Sequence, residues 1–376
     1  MPGFIKDFRP DLPRPRYDHA MMRLTRTESR VLIAQIDSGI APHPVFGDDF
    51  PANIMIDAGR NFFDPGGAFD DKPLTDLSRS GGAVADFIEY PDHGVKTLSV
   101  LLGDNDRIRG VTPGAKIVPY RVSNGPLFRS DDGPRMAAEE TAKIGEAIDH
   151  ALSLPVPPRV ITISMGNPGH MGFWEMIRHF FGGTAGLARS TKQAINRAYD
   201  AGVIVVCAAG QITDTIVEPA IYPRTIAVGG IDQDGGDIAH YPTEGYNIPE
   251  RVDIWAQAQR INRAAFDLDA TPPTPVYAED FDTGDPSGTS YATPQVAGAA
   301  ALWVATYQET LEIGAFADQP WRVVEAFRTA LRASARRRPA TLPGRSPAQV
   351  HILDIERLLS QDPQVPADSA RKAEVS

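Results

Sequence analysis

The 376-residue sequence has a single cysteine, Cys207, so no disulfide can form within the chain. That scarcity suits a reducing compartment, where thiols stay reduced. Cys207 falls inside the apolar run 202–209 and reads as a small buried hydrophobe. A reactive thiol would need an electropositive, partly exposed setting. Long apolar runs are also missing, and none reaches the roughly 20 residues of a membrane span. The first ten residues carry charges and prolines where a signal peptide needs an apolar stretch. These absences together give the expectation of a cytoplasmic protein. Basic charge is in deficit, with 37 Lys and Arg against 48 Asp and Glu and a formal net charge of −11. Neither nucleic acid nor a membrane is expected as a partner on that balance. The run Arg336-Arg337-Arg338 is a short local exception, read as the solvated end of a helix. Metal-ligand spacing is lacking too. Asp64, Asp70, Asp71 and Asp76 lie in a stretch rich in Gly and Pro with no fixed pattern, so a solvated loop is the reading and no metal is assigned.

What is present suffices for a sizeable core. A hydrophobic fraction of 42% is ordinary for a globular protein, and the length allows one large α/β domain or two small ones. Residues 1–30, rich in Pro and charge, read as an irregular N-terminal arm. Strand-type apolar runs then alternate with amphipathic stretches. The runs 31–36, 159–166 and 203–211 read as strands, with a turn and a strand in 110–122. Residues 135–152, 187–201 and 321–333 read as helices. That alternation implies a mainly parallel sheet with helices on both faces. Residues 167–186 form an apparent insertion, in which Phe173, Trp174, Ile177, Phe180 and Phe181 recur at helical spacing. It could pack on the body or cover a groove as a lid. Residues 253–287 read as a long loop region, and 361–376 as a disordered tail.

The chemistry-bearing stretch is Gly288-Thr289-Ser290-Tyr291-Ala292-Thr293-Pro294-Gln295-Val296-Ala297-Gly298. A small flexible turn presents the Ser290 hydroxyl, and an Ala-rich apolar helix follows to about Tyr307. Pro294 is expected in the first turn, where its missing N–H leaves no gap. Ser290 then sits at the helix N-terminus, where free N–H groups and the dipole stabilise a developing oxyanion. A Gly-Thr-Ser helix cap gives the same local pattern, and the stretch alone favours the cap. Asp37 closes the first strand before Ser38-Gly39-Ile40, at the edge where open α/β sheets place their sites, though an Asp also starts turns. His93 falls where a loop becomes a helix, with Val95, Leu98 and Leu102 on one face.

These three stretches, in the order Asp, His, Ser, resemble the motifs of the subtilisin-like serine proteases (subtilases, peptidase family S8). The resemblance runs from about Val31 to Leu359. It departs at four positions: Lys96 stands where a second His is usual, Gln211 where Asn is, Tyr291 where Met is, and Gln295 where His is. The resemblance implies a subtilisin-like three-layer α/β fold, with a catalytic domain over 31–360. It also implies the intracellular type without a large pro-domain, since 30 residues precede the first strand. By the same resemblance Ser290 is the nucleophile of a serine endopeptidase, His93 its base and Asp37 the residue that orients His93. The Gln211 amide is the candidate oxyanion donor, and Ser164, Met165 and Gly166 pair with the extended substrate. The implied partner is a polypeptide substrate, and no cofactor takes part in catalysis. Related proteases often hold structural calcium; none is assigned to this chain. Two alternatives stay open: a subtilase-type acyl transferase that ligates peptides, and a non-catalytic peptide-binding module.

Overall fold

The computed structural model describes residues 31–47, 50–63, 74, 76–78, 90–125, 134–166, 188–210, 216–234, 237–240, 251–259, 261–278, 288–340 and 348–376. The N-terminal arm, the 167–186 insertion and Gln211 lie outside the described residues. A ten-stranded sheet forms the centre. Its strands are β1 (Leu32–Asp37), β2 (Arg60–Asn61), β3 (Lys116–Arg121), β4 (Val160–Ile163), β5 (Ile204–Ala208), β6 (Ile226–Asp234), β7 (Asp237–His240) and β8 (Ile254–Gln257). A separate hairpin, β9 (Arg263–Asp267) with β10 (Thr274–Ala278), follows, and β11 (Arg336–Ala340) and β12 (Ala348–Ile352) complete the sheet. The order is β11-β12-β8-β6-β5-β4-β1-β3-β2, with β7 beside β6. Every pairing from β12 to β2 is parallel, while β11 and β7 pair antiparallel.

Strand alternation sorts side chains between the two faces. Leu32, Ala34 and Ile36 of β1, with Val205 and Cys207 of β5, face α2 (Pro134–Leu152) and α3 (Arg189–Asp200). Burial pushes the Cys207 thiol up in pKa, as an inert core residue requires. Val31 and Ile33, with Ile204 and Val206, face the opposite layer. That layer holds α1 (His93–Leu102), α4 (Thr289–Thr306), α5 (Trp321–Ser334) and α6 (Ile355–Leu359). Helices on both faces of a mainly parallel sheet make the three-layer fold expected from the sequence. Because α4 is wedged between the sheet and α1, it is buried almost all round. Gly298 allows this close approach, since a Cβ there would come within 2.7 Å of Val111 Cγ1.

Four expectations are corrected. Residues 253–287 are not simply a loop: β8 and the β9–β10 hairpin lie within them. Arg336-Arg337-Arg338 begins strand β11, not a helix end, because α5 stops at Ser334 and the chain turns back beside β12. The serine helix begins at Thr289, so Pro294 lies inside it, beyond the first turn. There Pro294 removes the N–H that would reach the Ser290 carbonyl one turn back.

The fourth correction concerns the tail. Residues 361–376 hold few apolar side chains, yet they lie ordered on the body through hydrogen bonds lent by other elements. Trp303 Nε1 donates to Gln361 O at 3.1 Å. The guanidinium of Arg224, only 2% exposed, donates to the carbonyls of Lys372 and Ala373 at 3.1 Å each. Asn196 exchanges hydrogen bonds with the Val375 main chain in both directions at 3.0 Å. Low hydrophobicity signals disorder only when a segment must make its own core. Truncation after Ala370 is expected to lower stability by about 1–3 kcal/mol by stripping these partners from Arg224 and Asn196. Urea denaturation of the two forms checks this.

Candidate active site

The carboxyl ends of β1, β4 and β5 meet the N-termini of α1 and α4, and every described site residue lies at that edge. Parallel strands end there together, so chain reversals deliver side chains from distant segments to one place. Asp37 is the last residue of β1, and His93 is the first of α1. Asp37 Oδ1 accepts from His93 Nδ1 at 2.7 Å, with the two residues 1% and 4% exposed. Since a carboxylate only accepts, Nδ1 carries a proton, and in the neutral imidazole the lone pair is then on Nε2. Asp37 Oδ1 also accepts from Ser38 N at 2.7 Å, and Oδ2 from Thr97 Oγ1 at 2.9 Å.

The first turn of α1 is clamped onto the turn after β1. Ser38 Oγ accepts from Gly94 N at 2.9 Å and donates to Pro91 O at 3.0 Å. Gly39 has φ +91°, a conformation that favours glycine, and a Cβ on Gly94 would come 1.9 Å from Gly39 O. The hairpin holds α1 from the other side. Ala264 N donates to Ser99 Oγ at 2.9 Å, and Phe266 N to Asp92 Oδ2 at 3.0 Å. Lys96 makes a buried ion pair with Asp92 at 3.1 Å. In place of a second histidine, this lysine neutralises the carboxylate that anchors the hairpin.

Ser290 is the second residue of α4, in its first turn. Its hydroxyl donates to Ser164 O at 2.8 Å, and among the described residues there is no hydrogen bond between Ser290 and His93. The ring of the next residue, Tyr291, is 6.3 Å from the His93 ring, so the first turn of α4 packs beside the start of α1. The buried Arg263 guanidinium stacks over the other part of this arrangement, 4.3 Å from the Tyr291 ring. Gln295 Nε2 donates to Gln257 O at 2.6 Å and to Tyr291 O at 2.8 Å, so it ties α4 to β8.

Ser164 and Met165 follow β4 and are 2% and 1% exposed. Gly166 and Gly210 both lie against Val217, where a Cβ would meet its methyl groups at 2.4 and 2.7 Å. Gly210 N donates to Thr289 Oγ1 at 3.2 Å, which fixes the end of the β5 turn to the start of α4. Gln211 follows directly but is outside the described residues. The structure therefore joins Asp37 to His93 and Ser290 to Ser164. Sequence reading missed Thr97, Ser38 and Gln35; for Thr97 a signal existed, since it stands four residues after His93 on the same helix face. Among the described residues no group of three or more His, Cys, Asp or Glu side chains could hold a metal ion, and no helix is long and apolar enough to cross a membrane.

A sequence model of the subtilase family, Peptidase_S8, matches residues 28–345. The chain belongs to the subtilase family. Membership makes it a hydrolase acting on peptide bonds. This subtilase is 27% identical over 286 residues to the major intracellular serine protease of Bacillus subtilis, covering 74% of this chain and 69% of that protein. It is 28% identical over 282 residues to subtilisin E of Bacillus subtilis, covering 73% of this chain but 56% of that one. The chain thus spans little more than half the length of some of its curated relatives. In fold, the subtilase superposes on a protease of Pseudoalteromonas arctica PAMC 21717 with a TM-score of 0.63 and 21% identity, over 91% of this chain and 93% of that one. Gly94→Ala in this subtilase is expected to destabilise the fold by about 1–3 kcal/mol through overpacking on Gly39, or to move α1 and with it His93. Thermal denaturation together with the peptidase rate of the folded variant measures both effects.

Proposed function

We propose that this subtilase is an endopeptidase that cleaves polypeptides through a Ser290 acyl-enzyme, with His93 as general base and acid and Asp37 as its orienting carboxylate. The observation that carries the reading is the buried Asp37–His93 hydrogen bond of 2.7 Å at the sheet edge that also receives the first turn of the serine helix. For this role the Ser290 hydroxyl must leave Ser164 O and donate to His93 Nε2. Ser290 Oγ then bonds to the scissile carbonyl carbon while its proton passes to Nε2. Collapse of the tetrahedral species breaks the C–N bond, and His93 returns that proton to the leaving amine. A water molecule repeats the sequence on the ester, giving up its proton through His93 and restoring Ser290.

The negative oxygen formed at each attack faces the α4 N-terminus, where the Ser290 N–H and the helix dipole are available. Gln211 follows Gly210 and is assigned as the side-chain donor. Its amide is that of Asn on one more methylene. The Ser164–Gly166 segment is assigned to hold the extended substrate by main-chain pairing. A reducing cellular compartment fits this reading, given the single buried cysteine and a relative named as an intracellular protease.

Serine-directed phosphonate labelling followed by peptide mapping tests the assignment: modification is expected at Ser290 and to require His93. Ser290→Ala, His93→Ala and Asp37→Ala should each nearly abolish cleavage while leaving the fold intact, and their losses should not add. A folded Ser290→Ala protein that cleaved a peptide at the wild-type rate would overturn the assignment. Gln211→Ala should lower kcat by roughly 10²- to 10³-fold with little change in KM. Mass analysis of the products decides between water and an amine as the acceptor of the acyl group, and hydrolysed products are expected.

A further inference from the structure

The carboxylate oxygen of Asp37 that faces away from His93 is not left to solvent. Thr97 Oγ1 lies 2.9 Å from Asp37 Oδ2 and 2.8 Å from Gln35 Nε2, and Gln35 Nε2 also lies 2.8 Å from Gly94 O. Gln35 and Thr97 are each 2% exposed. The direction of the chain follows from donor inventory. Gly94 O only accepts, so the nitrogen of Gln35 must face it; a flipped amide would set two oxygens against each other. Gln35 therefore donates to Thr97, whose one proton must go elsewhere. The charged carboxylate at 2.9 Å is a better acceptor than Gly94 O at 3.2 Å. The result is a run of donors, from the Gln35 amide to the Thr97 hydroxyl to Asp37, ending on the oxygen pair that holds His93.

Packing does not account for Gln35. The β1 residues that share its face, Val31 and Ile33, are apolar core residues. Gln35 Oε1 has no hydrogen-bond partner among the described residues, which costs free energy that an apolar side chain would avoid. What Gln35 contributes in return is its pair of N–H bonds, one to the first turn of the histidine helix and one to Thr97.

We propose that Thr97 and Gln35 are positioning residues for the Asp37–His93 pair. Thr97 holds the carboxylate plane so that Oδ1 meets the His93 Nδ1–H, and it disperses part of the negative charge onto its own O–H bond. Gln35 fixes the Thr97 rotamer that aims this proton. The proposal rests on Asp37 and His93 serving Ser290 as described above. Among the described residues, the charged groups that the contacts place near His93 are Asp37 of β1, Asp92 just before α1 with Lys96 of α1, and Arg263 of β9, which stacks on Tyr291 of α4. All remain in place when Thr97 is changed.

The test compares Thr97→Val, which keeps the shape and removes the hydroxyl, with Thr97→Ser, which keeps the hydroxyl. In the full-length chain with a small peptide substrate, Thr97→Val is expected to lower kcat roughly 10- to 100-fold with KM unchanged. Its acid limb should move to higher pH, because charge no longer dispersed by Thr97 stabilises the imidazolium. Thr97→Ser should recover most of the rate and the wild-type pH profile. Gln35→Leu should shift both in the Thr97→Val direction by a smaller amount. Wild-type kcat and pH profile in folded Thr97→Val would overturn the proposal, as would equal losses in the Val and Ser variants. The His93 ring titration, followed by NMR in the Ser290→Ala background, gives a readout independent of turnover. If hydrolysis proved not to depend on Ser290, the enzymatic reading would fail on its own account. An upward shift of that titration in Thr97→Val would still support the Thr97 contact, and an unchanged titration would sink it.

Discussion

A carboxylate and an imidazole, both withdrawn from water, must meet at hydrogen-bond distance although they come from separate segments. The Asp37–His93 contact sets this constraint, and much of the described structure can be read as meeting it. Strand β1 is held between β3 and β4: Asp37 itself pairs with Arg121 of β3, and the β4 ladder ends one residue before it, at Ile36. Helix α1 can approach only because Gly39 and Gly94 put bare backbone against bare backbone. The hairpin then presses on α1 from outside through main-chain donors to Ser99 and Asp92. In the proposed mechanism, loss of a support would displace the imidazole, and small misplacements of a reacting group are expensive in rate.

A second buried network seats helix α5 against the sheet. Asp253, before β8, accepts from Arg328 of α5 at 2.6 Å and from Arg332 at 2.8 Å. Burial alone would lower the Arg328 pKa, but the charges of Asp253 and Glu325 hold it above its ordinary value. Arg328 also donates to the carbonyls of Pro223 and Thr225, which seats α5 against the turn before β6. These charges lie away from the cleft and act on architecture, so a strongly ionic interior here does not mark a reactive one.

The parts legible in the sequence were those whose local and global preferences agree. Buried parallel strands read as apolar runs, α2 and α3 as amphipathic periods, and Asp37, His93 and Ser290 as residues beside abrupt turns. What stayed hidden depends on partners far along the chain. The β9–β10 hairpin carries Arg263 at a buried position and Pro272-Pro273 in its turn, which mask the strand pattern. The tail is ordered by Arg224 and Asn196 rather than by its own composition. Gln35 looked like an ordinary member of an apolar run, because only the fold shows which carbonyl and which hydroxyl wait opposite it. The rule that puts proline in the first turn holds for isolated helices, whereas burial on nearly every side keeps α4 helical across Pro294.

The two ends of the sheet bear on a hazard specific to this chemistry. Among the described residues one border is β2, two residues long. The other is β11, where Arg337, Arg338 and Pro339 are exposed. Brevity at one border, and positive charge with a missing N–H at the other, make both poor templates for an incoming strand. If substrate is held by main-chain pairing as proposed, open borders would gather extended chains along the flanks, where nothing can cut them. Under that proposal, blunted borders leave the cleft as the place where such pairing is rewarded.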